Sequence, residues 1–203
     1  YSQNTKIQKE DTELKSEGKK GIAKKNTVQL LLKAITKKEI EAVICRAPEF
    51  YGPGKTKGIT NTLIFEKLKA HKKPKVLVND KVLRTLIYTP DASKAMALIA
   101  NHPKTYSQTW HLPCDDNRLT YKGIITETSK QLNRKISYNI LSLFTLKIAA
   151  LFNTDIKETK ELLPRYTIDN IFDSSKFKNK FPNFKVTSYQ DGIKTIIDDY
   201  QIK

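Results

Sequence analysis

Short, β-branched apolar runs alternate with segments of helical period along this chain, and that alternation restricts the fold more than any other feature. Residues 16 to 38 carry Val28, Leu31, Leu32 and Ile35 at helical spacing and run into "EAVICRA", a short apolar stretch of the kind a buried strand uses. After a Gly-Pro-Gly turn, "TNTLIFEKLKAHKK" reads as a helix, "KVLVND" and "VLRTLIY" as strands, and "TPDASKAMALIANH" as a helix with Thr89 as N-cap, Pro90 at the first helical position and Asp91 in the first turn. "TWHLP" is a strand, Thr120 opens the helix "YKGIITETSKQLN", "KISYNIL" is a strand, and "SLFTLKIAALF" and "KETKELL" are helical. Ser188, with Asp191 three residues on, starts a last helix whose stripe is Ile193, Ile196, Ile197 and Tyr200. Strands that take turns with helices predict an α/β fold with a largely parallel sheet.

The 203 residues, 38% of them hydrophobic, are enough to bury one core and a satellite. No apolar run approaches the roughly 18 residues that cross a bilayer, and the first residues carry no signal-peptide pattern. With two cysteines and no such pattern, a reducing, cytoplasmic setting is expected. Cys45 and Cys114 form no C-x-x-C, and His71, His102 and His111 have no ligand spacing, so no metal site is expected. The net charge of +16 points toward anionic partners, but only Arg46, Arg84, Arg118, Arg134 and Arg165 among 37 basic residues are arginine. Base readers lean on arginine, so the scattered lysines read as solvated faces and nucleic acid as an unlikely partner.

"EFYGPGKT" stands between a strand and a helix, where a phosphate loop would stand. Its chemistry is wrong for one. Glu49 puts a carboxylate where the first glycine belongs, and Pro53 removes a backbone donor from the cradle. The bland alternative is a turn that ends a strand.

A third reading takes the neighbours together. "VICRAPEFYGPG", "KVLRTLIYTPDASKAMALIA", "TWHLPCDDNRLTYKGII" and "IFDSSKFKNKFP" resemble, in order, four segments of the NAD-dependent epimerase/dehydratase family, the extended short-chain dehydrogenase/reductases. The resemblance implies the C-terminal part of a Rossmann-type parallel sheet with a smaller α/β substrate-binding lobe. It assigns residues 1–113 to the Rossmann-like part, with an excursion at 52–82 toward the lobe, and 114–203 mainly to the lobe and C-terminal helices. It implies NAD or NADP as cofactor, a nucleotide sugar or related small molecule as substrate, and a homodimer. Tyr1 resembles the tyrosine of the family's V-Y-G, so an N-terminal segment with the first cofactor-binding strands is expected to precede it.

Two family features are absent from this sequence. The glycine-rich G-x-x-G-x-x-G turn that receives the pyrophosphate does not occur. At the Y-x-x-x-K acid/base pair, "KGIAK" places Lys24 on the family lysine and Lys20 on the tyrosine. By resemblance, Lys24 would bind the nicotinamide ribose, Lys20 would take the proton-transfer place, and Ala47 and Pro48 would contact the nicotinamide. Glu49, in the place of the asparagine that helps hold the diphosphate, and Arg84 would face the substrate.

The residues argue part of this alone. At about 100° per residue, Lys24 points within roughly 20° of Leu31 and Ile35, and Lys20 lies about 40° to the side. Lysines on an inward face need an anion or polar ligand, unless the helix overhangs the core and both snorkel to water. Lys25 and Lys33 are expected to project away. Two ammonium groups one turn apart lower one another's pKa, which would let one act as a base. Tyr88, Trp110 and His111 are expected in the core or at the lobe interface. Three functions therefore compete: an altered epimerase/dehydratase or reductase, a non-catalytic dinucleotide-binding or regulatory protein of the same fold, and a basic nucleic-acid-binding domain.

Overall fold

A computed structural model describes residues 1, 5–15, 18–152 and 160–203; the side chains at 20, 149–152, 160 and 161 are not described. The expected helix "KETKELL" falls partly outside these residues, and Lys160–Tyr166 is a 3₁₀ segment.

In chain order the elements are β1 (Ile7–Gln8), α1 (Lys19–Thr36), β2 (Ile44–Arg46) and β3 (Glu49–Tyr51). A π-helical turn, Asn61–Phe65, then runs into α2 (Glu66–Lys69). Next come β4 (Lys75–Leu77), β5 (Leu83–Arg84), β6 (Leu86–Tyr88), α3 (Thr89–Ala100), β7 (Thr109–His111), β8 (Leu119–Thr120) and α4 (Tyr121–Gln131). The chain closes with β9 (Asn139–Leu141), α5 (Leu143–Phe152), β10 (Ile171–Phe172), α6 (Ser175–Lys180) and α7 (Tyr189–Tyr200). No described helix is long and apolar enough to cross a membrane.

Strands far apart in sequence pair in parallel: β1 with β10, β2 with β7, β3 with β6 and β4 with β9, while β5 and β8 are antiparallel. Parallel partners need crossovers, which the intervening helices supply. The α/β class thus holds, although the described ladders are short pairs and "VLRTLIY" splits at Thr85. There the chain turns its amide and hydroxyl to the Asn170 carbonyl, at 3.0 and 2.9 Å.

Among the described residues two apolar cores result. The larger holds Ile64, Phe65, Val76, Tyr121, Ile124 and the α7 stripe Ile193, Ile196, Ile197 and Tyr200. The smaller gathers Ile87, Ala95, Ile99, Trp110, Leu112, Phe172 and Phe177. Each fully buried aliphatic or aromatic side chain contributes about 1.5–3 kcal/mol.

Local signals set several boundaries as expected. Thr120 accepts the Gly123 amide at 2.9 Å, and Ser188 accepts that of Asp191 at 3.1 Å, which caps α4 and α7. At α3 the cap falls one residue earlier, on Tyr88, because the Thr89 hydroxyl donates instead to the Tyr51 carbonyl at 3.1 Å and so ties α3 to β3. Asp91 accepts the Thr187 amide and hydroxyl at 2.6 and 3.1 Å, holding the segment before α7 rather than acting only on its own helix.

Candidate functional site

The turn after β3 shows why a phosphate cradle is not built there. The Gly54 amide, the donor a phosphate would need, is already bonded to the Asp199 carboxylate at 2.7 Å. Gly52 exchanges bonds with the Asn61 side chain, whose Oδ1 accepts the Gly52 amide at 3.2 Å and whose Nδ2 donates to the Gly52 carbonyl at 2.7 Å. The Tyr200 hydroxyl donates to the Gly54 carbonyl at 3.0 Å. Gly54 has φ of 68°, in the left-handed region that glycine tolerates. The loop is a turn locked between the π-helical segment and α7.

At the entry to that turn lies a polar cluster. Glu49, at the start of β3, accepts the Thr60 amide at 2.7 Å and the Thr60 hydroxyl at 2.6 Å, and the Tyr166 hydroxyl lies 3.5 Å from its other oxygen. Its carboxylate therefore anchors the residue before the π-helical turn. Burial pushes the phenols of Tyr166 and Tyr121 up, and the Glu49 carboxylate pushes them further, while Arg84 pulls both down. The two rings lie parallel, 6.3 Å apart.

Arg84 leaves β5 beneath this cluster and is 4% exposed. It donates to the Arg165 carbonyl at 2.7 Å, and its guanidinium carbon lies 4.3 Å from the Tyr166 ring centre. Its Nε has no partner among the described residues. Arg165 donates to Gln8 at 3.2 Å, and burial, with Arg84 adding to it, depresses the Arg165 pKa. Among the described residues neither guanidinium makes an ion pair. Arg84 and Arg165 thus lie close together with no described carboxylate in ion-pair contact, while Glu49 meets the same Tyr166 at its hydroxyl.

Ala47 and Pro48 join β2 to β3, are half-buried, and lead directly into Glu49. Beside them a second network forms. His111 Nδ1 donates to the Asp173 carbonyl at 2.6 Å, which leaves Nε2 to accept from the Tyr1 hydroxyl; Arg46 in turn donates to the Tyr1 oxygen at 3.0 Å. The His111 amide reaches the Glu10 carboxylate at 3.0 Å, and the imidazole stacks on Phe172 at 3.6 Å. Trp110 and His111 are buried, and Tyr88 is half-buried.

The expected inward orientation of Lys24 is not found. Lys24 is exposed and makes no hydrogen bond or ion pair among the described residues, whereas Lys25, expected outside, is half-buried. Of the expected stripe Val28, Leu31 and Ile35 are half-buried, but Leu32 is exposed and no described α1 side chain is buried, so this helix meets the rest of the described chain only through a half-buried edge. Lys20 lies in the first turn of α1, and its side chain is outside the described part. The structure thus brings Glu49 and Arg84 around the same tyrosines, with Ala47 and Pro48 adjoining, and does not bring Lys24 to them.

Sequence reasoning missed Thr60, Tyr121, Arg165 and Tyr166. A usable signal was the scarcity of arginine: of the five, Arg46, Arg84, Arg118 and Arg165 are buried or half-buried, and each donates to a carbonyl or side-chain oxygen. In a chain that otherwise uses lysine, arginine marks places needing a fixed, planar donor set.

Comparison with solved structures agrees with this architecture. A UDP-glucuronic acid 4-epimerase from Bacillus cereus in complex with NAD superposes with a TM-score of 0.73 at 15% identity, covering 96% of this chain and 56% of that one. A dTDP-glucose 4,6-dehydratase from Bacillus anthracis in complex with NAD gives 0.70 at 15% identity, covering 98% and 56%. A UDP-glucose 4-epimerase from Thermotoga maritima with UDP-glucose gives 0.66 at 16%, covering 89% and 52%. At these identities the likeness shows the fold, the C-terminal portion of a Rossmann-like enzyme with its α/β lobe, and this chain spans little more than half the length of those structures. No curated protein matches the chain by sequence. The family model for the NAD dependent epimerase/dehydratase family matches residues 1–111, more than half of the sequence, so the chain belongs to that family.

Proposed function

We propose that this chain forms the substrate-lobe side of an NAD(P)-dependent epimerase, dehydratase or reductase-like protein that takes a nucleotide sugar or a related substrate through its diphosphate. The observation that carries this reading is Arg84 with Arg165 beside it: a guanidinium 4% exposed, with one donor unpartnered and no carboxylate paired to it. A buried cation without a counter-ion is unfavourable until an anion arrives, and a diphosphate matches a pair of planar donors. The named neighbours, two with NAD and one with UDP-glucose, support the same substrate and cofactor classes.

Glu49 has a different role from the amide the family resemblance sets in its place. With Thr60 and Tyr166 occupying its oxygens, it shapes the wall of the site rather than touching phosphate. The sequence has no glycine-rich pyrophosphate turn, so what this chain would offer a dinucleotide is a half-buried wall of Ala47 and Pro48 for its nicotinamide end, and Lys24, exposed here, would become a ribose donor only in an assembly that covers α1. Bound there, the cofactor would supply hydride exchange; the rest of its cradle would come from an N-terminal segment outside this sequence. In that assembly Lys24 would be covered, and Lys20 would hold or move the proton. The exposed Ile22, Leu30 and Leu32 of α1, at 44%, 68% and 40%, suit a helix that pairs with a second copy.

A non-catalytic, nucleotide-binding reading is favoured by one observation, the lysine that replaces the family tyrosine at position 20. Calorimetry with UDP-glucose and UDP tests the part common to both. Saturable binding weakened at least tenfold by Arg84→Met or Arg165→Gln is expected, and equal affinity in the variants overturns the assignment. Nicotinamide absorbance in a chain carrying a cofactor lobe then separates the two: turnover lost on Lys20→Ala supports catalysis, and binding without turnover supports the other.

A further inference from the structure

A second basic site lies away from the arginine pair, at the start of the β4–β9 ladder. A groove of about 360 Å³ opens between the turn after α2 and the turn after α4; its rim carries His71, Lys72, Lys73, Arg134, Lys135 and Ser137, and its floor includes Leu68 and Ile136. Among the described residues no carboxylate lines it. Among the described residues none of these side chains makes a hydrogen bond or an ion pair, so every donor on the rim is free.

The walls are held in place. Leu68, Pro74 and Ile136 are buried, the Asn139 amide donates to the Pro74 carbonyl at 3.0 Å, and both turns pass through left-handed residues, His71 with φ of 53° and Asn133 with φ of 46°. The two turns follow helix C-termini, and basic residues there partly answer the helix dipoles. That effect accounts for about half a charge per helix, or about one in all, against four full cations. Arg134 adds an independent sign. It is the one exposed arginine, and its five donors meet no acceptor among the described residues, whereas the other four each donate to a fixed oxygen.

We propose that this groove binds a small anion carrying several adjacent phosphates. Its volume lies at the low end of small-molecule sites, which suits a compact oligophosphate, and its cations are gathered around one groove between two turns, unlike a charged stripe that tracks a polymer backbone. Arg134 would grip one phosphate in its planar fork, and Lys72, Lys73 and Lys135 would act as point charges around the others.

Titration of the 203-residue chain with inorganic triphosphate tests this. Saturable one-site binding that outlasts about 150 mM salt is expected. Lys73→Gln with Arg134→Gln should weaken it at least tenfold. A control of equal charge change, Lys94→Gln with Lys104→Gln on another exposed surface, should leave it within twofold. All these side chains are exposed, so unchanged unfolding temperatures are expected and serve as the folding check. Equal loss in the control pair, loss tracking Arg84→Met instead, or absence of saturation overturns the site. So does tight binding of duplex DNA or of anionic vesicles that triphosphate fails to displace.

Discussion

Gly192 is the position where one added methyl group should be felt most clearly. It lies in the first turn and a half of α7, and a Cβ built there would sit 2.5 Å from the Tyr51 hydroxyl oxygen, 2.9 Å from Cε2 and 3.0 Å from Cζ. Ordinary contact lies near 3.5 Å, so helix and ring must separate by about 1 Å. Tyr51 cannot yield easily, since it is 2% exposed and wedged between the rings of Tyr88 and Tyr189, each 5.6 Å away. Overpacking of this kind costs about 1–3 kcal/mol, while replacing a helical glycine by alanine returns about 1 kcal/mol. A contact as short as 2.5 Å against a wedged ring falls in the upper part of that range, about 2–3 kcal/mol, so Gly192→Ala should destabilise the chain by about 1–2 kcal/mol net, a fall in Tm of about 2–8 °C for a protein of this size. Tyr51→Phe should by itself be nearly neutral, because the hydroxyl it removes is buried without a partner. In the double variant the closest contact is gone, and urea unfolding should show a favourable coupling of about 1 kcal/mol. A Gly192→Ala protein as stable as wild type, or two effects that simply add, would refute the packing argument.

Other outcomes follow from single features of the structure. Arg84→Met should leave stability nearly unchanged, since the lost hydrogen bond and ring contact are offset by relief of a buried cation, while nucleotide-sugar affinity falls at least tenfold; a large loss of stability with intact binding would make Arg84 purely structural. Burial, the largest influence, holds the His111 imidazole below its ordinary value of about 6.5, with Arg46 adding to it and the Asp173 carbonyl and Glu10 opposing. The unfolded chain then takes up that proton first, so stability is full above about pH 6.5 and declines below it, by up to about 1.4 kcal/mol per pH unit, until the folded pKa is passed. Urea midpoints between about pH 7 and pH 5 should show this slope in wild type and lose it in His111→Gln; an unchanged slope would place the titration elsewhere. Ser188→Ala should lower stability by about 1 kcal/mol through loss of the α7 cap, and an unaffected Tm would mean another group serves that amide.

The α/β class, the crossover connections and the α7 stripe were legible because each rests on local periodicity, and Thr120 and Ser188 because a cap is chemistry within one turn. Thr89 was misread because its hydroxyl answers a carbonyl on β3, a partner that sequence spacing does not reveal. The π-helical turn Asn61–Phe65 escaped notice for a similar reason: Asn61 is drawn to Gly52 and Tyr200, contacts set by tertiary packing. Lys24 shows the limit of helical phase, which gives a direction but not whether anything lies in that direction. At the site, Arg84 and Glu49 were visible as members of a motif, but Glu49's partner Thr60 sits 11 residues on, just before the π-helical turn, and Arg84's partner Arg165 lies 81 residues away, pairings that only the folded chain reveals.

The bond between Gly54 and Asp199 spans 145 positions, and Tyr200 reinforces it across 146. The turn that ends β3 is thus fastened by residues made well over a hundred positions after it. During synthesis that turn stays without these two bonds until α7 has cleared the ribosome. Stalled nascent chains treated with protease should become resistant near residue 54 only once the segment bearing Asp199 and Tyr200 has emerged.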